Sequence, residues 1–282
     1  MTADAYLRPD RLEDALDALS AGAMTIAAGC TDLLPATQRK SLPGTVLDIT
    51  AIKALRGITS DAEGLTIGAT TTWSDIRKAD LPPAFDGLKL AAREVGARQI
   101  QNQGTIAGNL CNASPAADGV PPLLTLEAEV VLTSTAGERR LPLQDFIIGP
   151  RSISIEAGEL MTAIHIPKAA MEGDSHFLKL GARSSLVISI AMAAARITTH
   201  SGLITSAALA VGACGPVATR LGRAERALIG ARLNEESIAN ALTQAALDEE
   251  LFPIDDVRAD AAYRLDAASE LVRRLLATME RT

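Results

Sequence analysis

The feature that most constrains this chain is a run of small residues at positions 104–118, Gly-Thr-Ile-Ala-Gly-Asn-Leu-Cys-Asn-Ala-Ser-Pro-Ala-Ala-Asp. Only Ile106 and Leu110 are bulky, and the other side chains are small, polar or, at Asp118, charged. Glycine and alanine leave room for close approach of the backbone, and glycine also adopts positive φ without strain. Such a run fills a hydrophobic core poorly, so we predict a loop against which another group lies closely.

A second stretch of the same character lies at residues 27–34. Residues 24–28 have the composition of a short strand, and Gly29 to Asp32 form a tight polar turn before a helix-like start at Leu33. A strand, a turn and a helix in this order point backbone N–H groups at an anion. The alternative is an ordinary turn in which Thr31 or Asp32 caps the following helix.

Together the two predicted loops offer what the phosphates of a dinucleotide need, namely N–H donors, hydroxyls and little side-chain bulk. These features occur at Gly29, Thr31, Thr105, Gly108 and Asn109. A carboxylate such as that of Asp118 can accept a hydrogen bond from a sugar hydroxyl. The residues by themselves leave two interpretations open, a site for a phosphate-bearing ligand and a pair of structural turns.

Composition narrows the classes of function. The 282-residue chain has a net charge of −7 and no Lys/Arg cluster interleaved with aromatic residues, which argues against nucleic-acid binding. Cys30, Cys111 and Cys214 are far apart, so we expect no metal site and a reducing cytoplasm. There is no secretory signal pattern at the N-terminus. The apolar run 186–197, broken by Ser189, is too short to span a membrane, and we predict a buried helix or a strand-to-helix passage there.

Apolar periodicity predicts a mixed α and β chain. We predict helices at residues 9–22, 86–97, 218–230, 234–247 and 259–279, and strands at residues 24–28, 46–49, 65–69, 128–133, 160–166, 177–180 and 209–213. A stretch of low order at residues 168–175 marks a boundary before the last part. No hydrolase, P-loop or GxGxxG motif is present, and the three histidines show no ligand spacing, so we predict no catalytic residue.

Read together, several segments resemble the flavin-binding medium subunit of the molybdenum hydroxylases, the family of xanthine, carbon monoxide and nicotinate dehydrogenases. The segments that carry the resemblance are residues 27–34, 66–71, 104–118, 126–128, 141–146 with 149–150, and 179–183. Their order and spacing cover almost the whole chain, and the set is specific although no single segment is.

The resemblance implies an α+β chain in three parts. An N-terminal α/β part (residues 1–57) and a second α+β part (residues 58–170) would form an FAD-binding module of the PCMH type. Residues 175–282 would form a C-terminal domain, like that of the CO dehydrogenase flavoprotein, in which a small antiparallel sheet carries a helical bundle over the flavin.

The resemblance also implies roles for individual residues. The pyrophosphate and the approach to the flavin would involve Ile26, Ala27, Ala28, Gly29, Cys30, Thr31, Asp32 and Leu33. Pyrophosphate and sugar hydroxyls would be held by Thr105, Gly108, Asn109, Ser114 and Asp118. The adenine or isoalloxazine portions would lie along Val95, Met161 and Lys179.

The function implied is electron transfer in a hetero-oligomer. A large partner subunit would carry the molybdenum cofactor, and a small one would carry two [2Fe-2S] clusters. FAD on this chain would collect the electrons and pass them to an external acceptor. Two alternatives stay open: a self-contained flavin oxidoreductase of the vanillyl-alcohol-oxidase or MurB-like fold, and a nucleotide-binding assembly subunit without redox activity.

Two positions depart from the family pattern, because Cys30 and Ala107 stand where relatives often have glycine. Both side chains are small, so access for a pyrophosphate is retained. If either position requires positive φ, the non-glycine residue costs on the order of 1 kcal/mol. We therefore predict a reduced FAD affinity if the backbone at these positions is left-handed.

Overall fold

The N-terminal part is a three-stranded parallel sheet. The structure, a computed structural model, describes residues 5–37, 42, 44–243, 247 and 249–280. The strands are β1 (Ala5–Leu7), β2 (Thr25–Ala27) and β3 (Thr45–Asp48), in the order β1-β3-β2, with helices α1 (Leu12–Ala21) and α2 (Leu33–Ala36) in the connections. The predicted helix and two of these strands are confirmed. Strand β1 is absent from the prediction because all three of its residues are exposed, so it carries no apolar alternation.

A five-stranded antiparallel sheet of order β4-β5-β10-β6-β7 follows in the centre of the chain. Its strands, with a small β8–β9 ladder beside them, are β4 (Ile58–Ser60), β5 (Gly64–Gly68), β6 (Glu129–Ser134), β7 (Gly137–Pro142), β8 (Ile147–Gly149), β9 (Ser152–Ile153) and β10 (Leu160–Pro167). The strands predicted at 65–69, 128–133 and 160–166 are confirmed. Pro167 ends the central strand β10, where loss of one N–H donor is tolerated.

Six short helices cover this sheet. They are α3 (Trp73–Lys78), α4 (Asp86–Glu94), α5 (Arg98–Gln103), α6 (Ile106–Asn112), α7 (Val120–Thr125) and α8 (Leu143–Phe146), and 3₁₀ turns lie at Lys53–Leu55 and Pro83–Phe85. A reciprocal capping box between Thr72 and Asp75 starts α3. The core between helices and sheet contains the fully buried rings of Trp73, Phe85 and Phe146.

The predicted loop at residues 104–118 is only partly a loop, since helix α6 occupies its middle. Thr105 caps the helix, because its hydroxyl accepts a hydrogen bond from the Gly108 N–H at 3.1 Å. Ala113 ends it with a left-handed φ of 45°. The small residues let this helix lie directly on the central core, where Ile106 and Leu110 are fully buried. The composition was interpreted correctly as close packing, but the loop assignment is wrong.

The C-terminal part is a four-stranded antiparallel sheet of order β11-β12-β13-β14. Its strands are β11 (Asp174–Leu180), β12 (Ala191–His200), β13 (Leu203–Gly212) and β14 (Thr219–Arg220). Residues 168–175, which we predict to be of low order, instead form a 3₁₀ turn, Lys168–Met171, and the start of β11.

The helix or strand-to-helix passage predicted at residues 186–197 is wrong, because the second half of that run is the central strand β12. Both faces of this strand are buried. Ala193 and Ala195 face the C-terminal helices, whereas Met192 and Ala194 face the helices of the central part. A strand that is buried on both faces is apolar without alternation, and its pattern cannot be distinguished from that of a buried helix.

Helices α9 (Gly222–Leu228), α10 (Glu235–Ala241) and α11 (Ala261–Met279) pack on one face of this sheet. Asn234 caps α10 as the sequence predicts, by accepting from the Ser237 N–H at 2.8 Å. Residues 244–246 of the predicted 234–247 helix lie outside the described residues. The α+β class and the antiparallel C-terminal sheet with helices are confirmed. In the described part of the chain, no helix combines the length and apolar character that crossing a bilayer requires.

The environment of Asp256, near the start of α11, should make the stability of the fold sensitive to acid. Burial alone would raise the pKa of its carboxyl, but hydrogen bonds from the Arg258 N–H and from the guanidinium groups of Arg264 and Arg258 lower it to about 2. A pKa below its unfolded value of 3.8 stabilises the fold above that pH, and the contribution is lost as pH falls towards about 2.

We therefore expect Asp256→Asn to lower the free energy of unfolding at neutral pH. The variant should also lose less stability than the wild type between about pH 4 and about pH 2.5. Urea unfolding across that range measures both effects. Parallel pH profiles for the two chains would exclude this role.

Candidate functional site

The two stretches singled out in the sequence meet in the structure. A Cβ atom added at Gly29 would lie 2.1 Å from the carbonyl oxygen of Gln103 and 2.9 Å from the Cα atom of Gly104. A Cβ atom at Gly104 would in turn lie 3.4 Å from the Thr31 hydroxyl oxygen. The β2–α2 turn therefore packs, backbone against backbone, on the segment that leads into α6.

Free N–H donors are concentrated in the β2–α2 turn. Within the described part of the chain, the backbone N–H groups of residues 29–33 have no protein acceptor. Cys30, in the middle of the turn, is left-handed with a φ of 56°. Asp32 precedes α2 but makes no side-chain capping bond, so the ordinary capped turn is not what forms. A series of unpaired N–H groups around a left-handed residue makes a concave anion-binding surface.

The start of α6 differs from the β2–α2 turn, because its backbone N–H groups already have acceptors within the protein. The Ile106 N–H donates to the Thr71 carbonyl at 3.0 Å and the Ala107 N–H to the Ala69 carbonyl at 3.3 Å. Gly108 and Asn109 donate to the side chain and the carbonyl of Thr105. The backbone N–H groups of Gly108 and Asn109 are therefore not free, because Thr105 accepts both, and the role of these two residues in the site stays a prediction. Ala107 is helical, so its replacement of glycine carries no φ penalty.

The left-handed backbone at Cys30 should determine how substitutions there change the free energy of unfolding. A non-glycine residue at this φ costs about 1–2 kcal/mol, whereas glycine adds about 0.5–1 kcal/mol of chain entropy to the unfolded state. We expect Cys30→Gly to change the free energy of unfolding by less than about 1 kcal/mol, because the two terms nearly cancel. The β-branched variant Cys30→Val should destabilise by about 1–3 kcal/mol. Urea unfolding distinguishes the two, and a Val variant as stable as the wild type would contradict a left-handed turn.

Asn109, within α6, carries an unsatisfied polar atom. Its side-chain oxygen Oδ1 is buried and has no hydrogen-bond partner among the described residues. A Cβ atom at Gly119 would lie 2.9 Å from it, so the oxygen lies against bare backbone. Buried polar atoms in proteins are almost always hydrogen-bonded, so this oxygen is available to a donor from water or from a ligand.

Asp118 and Lys179, predicted for different parts of a ligand, form one buried ion pair. The Lys179 Nζ lies 2.7 Å from Asp118 Oδ2, and less than a tenth of each side chain is exposed. The Ser189 hydroxyl donates to Asp118 Oδ1 at 2.6 Å. Burial raises the pKa of the Asp118 carboxyl, and Lys179 and Ser189 oppose that effect. Ser189 is absent from the predicted site, although it interrupts an otherwise apolar run.

The remaining predicted residues lie after α6, in the central core and at the end of α4. Ser114 follows α6 and its hydroxyl accepts from the Ala116 N–H at 3.3 Å. Met161 is 3% exposed within the central core, where β10 carries a bulge. Val95 is half-buried at the end of α4. A cavity of about 600 Å³ between α4 and β11 is lined by Lys179 and by Leu90, Arg93, Phe177, Arg183 and Val187.

Comparison with known proteins identifies the family. Residues 2–169 match the family model described as the FAD binding domain in molybdopterin dehydrogenase, and residues 176–279 match that of the CO dehydrogenase flavoprotein C-terminal domain. The chain belongs to this family of flavoproteins. The resemblance inferred from the sequence motifs is thereby confirmed.

Individual relatives match along nearly their whole length. The nicotinate dehydrogenase FAD-subunit of Eubacterium barkeri is 33% identical over 89% of this chain and 86% of its own. Subunit alpha of the 6-hydroxypseudooxynicotine dehydrogenase complex of Paenarthrobacter nicotinovorans is 32% identical over 96% of this chain and 93% of its own length. A chain in a solved structure of carbon monoxide dehydrogenase from Hydrogenophaga pseudoflava superposes with a TM-score of 0.88 and is 28% identical in sequence. The match covers 96% of this chain and 95% of that one.

The residues of the site fit the FAD that gives the family its description. The free N–H groups of residues 29–33 suit a pyrophosphate, which needs several donors and little bulk. The unpartnered Asn109 oxygen suits a hydroxyl or N–H donor of a sugar or ring. The absence of a side chain at Gly29 lets the turn pack on Gln103 and Gly104, in the segment that leads into the helix of Asn109.

Proposed function

We propose that this chain is the FAD-carrying electron-transfer subunit of a multi-subunit molybdenum hydroxylase. One observation carries the proposal: the turn at residues 29–33, with its free N–H groups, packs directly on the segment that leads to Asn109 and Asp118. A large subunit with the molybdenum cofactor and a small subunit with [2Fe-2S] clusters complete the hetero-oligomer. Bound FAD would take electrons from those clusters and deliver them to an external acceptor.

The chain's own residues position the cofactor. We assign the turn of Ala28 to Leu33 to the pyrophosphate, with Ile26 and Ala27 leading into it. Thr105 and Gly108 keep the start of α6 in place through their capping bond. Asn109 and Ser114 offer side-chain oxygens to the sugar hydroxyls. Val95 and Met161 line the more distant part of the cofactor.

Asp118 and Lys179 hold a fixed charge arrangement beside the ring system in this proposal. Because each neutralises the other inside the protein, the pair presents a dipole with little net charge. We assign the division into three parts as residues 1–57, 58–170 and 175–282. The three free cysteines agree with a location in the reducing cytoplasm.

A visible absorption spectrum of the purified chain tests the flavin. We expect absorption bands of bound FAD, or their appearance when FAD is added to the chain. A chain that shows neither would overturn the proposal together with the self-contained flavoenzyme alternative.

Affinity purification from the source cell tests the assembly. Co-purification of a large molybdenum-containing chain and a small iron–sulfur chain is expected at fixed stoichiometry. A flavin-loaded chain that purifies alone and oxidises an organic substrate would favour the self-contained enzyme instead. The match along 95% of a carbon monoxide dehydrogenase chain supports the multi-subunit assembly.

A further inference from the structure

The first turn of α11 carries a buried arginine that bonds to two strand ends. Arg264 is 1% exposed, and its Nη1 donates to the carbonyl oxygens of Ile190 and Ala213, each at 2.6 Å. Its Nη2 bonds to the Asp256 carboxylate. Ile190 immediately precedes β12 and Ala213 immediately follows β13, so one guanidinium joins adjacent strands at the same end of the C-terminal sheet.

The residues that carry both carbonyls are connected directly to residues of the candidate site. Ile190 directly follows Ser189 in the chain, and the Ser189 hydroxyl donates to Asp118 Oδ1 at 2.6 Å. The N–H of Ala213 donates to the Pro115 carbonyl at 3.0 Å, beside Ser114. Arg264 therefore fixes the backbone on two sides of the segment that ends at Asp118, without touching that segment itself.

A purely structural helix anchor would not need this geometry. Helix α11 already buries an apolar face that includes Leu275 and Leu276, each 0% exposed. A buried guanidinium is costly to desolvate, and here its single carboxylate partner, Asp256, is partly exposed. At this position of α11 the same guanidinium donates to the Ile190 and Ala213 carbonyls, which adjoin segments of the candidate site.

We propose that Arg264, held by Asp256, is a positioning residue for the flavin site, and that it acts by orienting Ser189 toward Asp118. The proposal rests on the proposed function, because it names a residue that sets how the same site holds FAD. It predicts that Arg264 and Ser189 contribute to FAD affinity through one shared interaction.

The test is a double-mutant cycle on the full chain, with FAD as the titrated ligand and flavin fluorescence quenching as the readout. Arg264→Met and Ser189→Ala should each weaken FAD binding by about tenfold, the effect of losing one hydrogen bond to a charged group. The double variant should bind no more weakly than the weaker single variant. Arg264→Lys, which retains the charge and one carbonyl contact, should recover part of the affinity.

Leu275→Ala is the matched control, because it weakens the same helix at a distance from Ile190 and Ala213. It should lower the melting temperature and leave the FAD dissociation constant unchanged in the folded chain. Additive losses in the double variant, or wild-type affinity in Arg264→Met, would overturn the inference. A wild-type chain that binds no FAD would instead overturn the proposed function, so the two failures are distinguishable. Arg264→Lys with Ser189→Ala gives a second cycle in which the buried charge is kept.

Discussion

A Gly29→Ala chain is expected to lose FAD retention and to be destabilised by about 1–3 kcal/mol, the cost of overpacking a close contact. The added Cβ atom would lie 2.1 Å from the carbonyl oxygen of Gln103 and 2.9 Å from the Cα atom of Gly104. Both obstructing atoms belong to the backbone, so no side-chain rotation relieves the clash. The turn with the free N–H groups must then move away from the segment that leads to Asn109.

Urea unfolding and the ratio of flavin to protein absorbance measure the two consequences. Gly22→Ala is the matched control in the same part of the chain, because a Cβ atom there meets no atom within 4 Å. Gly22 ends α1 with an extended φ of 162°, which alanine also adopts. A Gly29→Ala chain that retains flavin as the control does would place the pyrophosphate elsewhere.

The sequence predicts that the backbone near Gly29 is closely approached, although it does not identify the atoms that approach it. Few environments other than tight backbone contact favour so many small residues. The secondary structure of residues 104–118 could not. Gly108, Asn109 and Asn112 have weak helix propensity, so residues 106–112 carry only a weak helical signal of their own. The helix forms because Thr105 caps it and because the carbonyls of Ala69 and Thr71 accept its first N–H groups. Those acceptors lie more than thirty residues earlier in the chain.

The ionic part of the site was predicted as separate residues but not as a cluster. Asp118 and Lys179 are separated by 61 residues and Asp118 and Ser189 by 71. Periodicity reports only local neighbours, so it cannot pair groups at that separation. Ser189 was visible as a break in an apolar run, which is a signal for a buried hydroxyl with a partner. The local sequence does not reveal that partner, because Lys179 and Ser189 reach Asp118 through the pairing of β11 with β12.

Removal of the lysine from this cluster should have the second large effect. We expect Lys179→Met to lower the free energy of unfolding by about 3–5 kcal/mol at neutral pH, because it leaves the Asp118 carboxylate buried without its counter-ion. Burial already raises the pKa of Asp118 in the intact pair, and loss of Lys179 removes the main opposing influence. The folded variant should therefore take up a proton at Asp118 in place of the lost ion pair.

Uptake of this proton determines whether the stability of the variant rises or falls with pH. A carboxyl whose folded pKa lies above its unfolded value contributes stability at low pH and loses it as pH rises. The stability of Lys179→Met should thus fall relative to the wild type between about pH 5 and about pH 8. Adding Asp118→Asn should recover most of the loss and flatten that pH dependence, because the amide cannot ionise. Lys53→Met, at an exposed lysine, should change stability by less than about 0.5 kcal/mol. If urea unfolding shows equal pH profiles for Lys179→Met with and without Asp118→Asn, then Asp118 is not the group that the lysine neutralises.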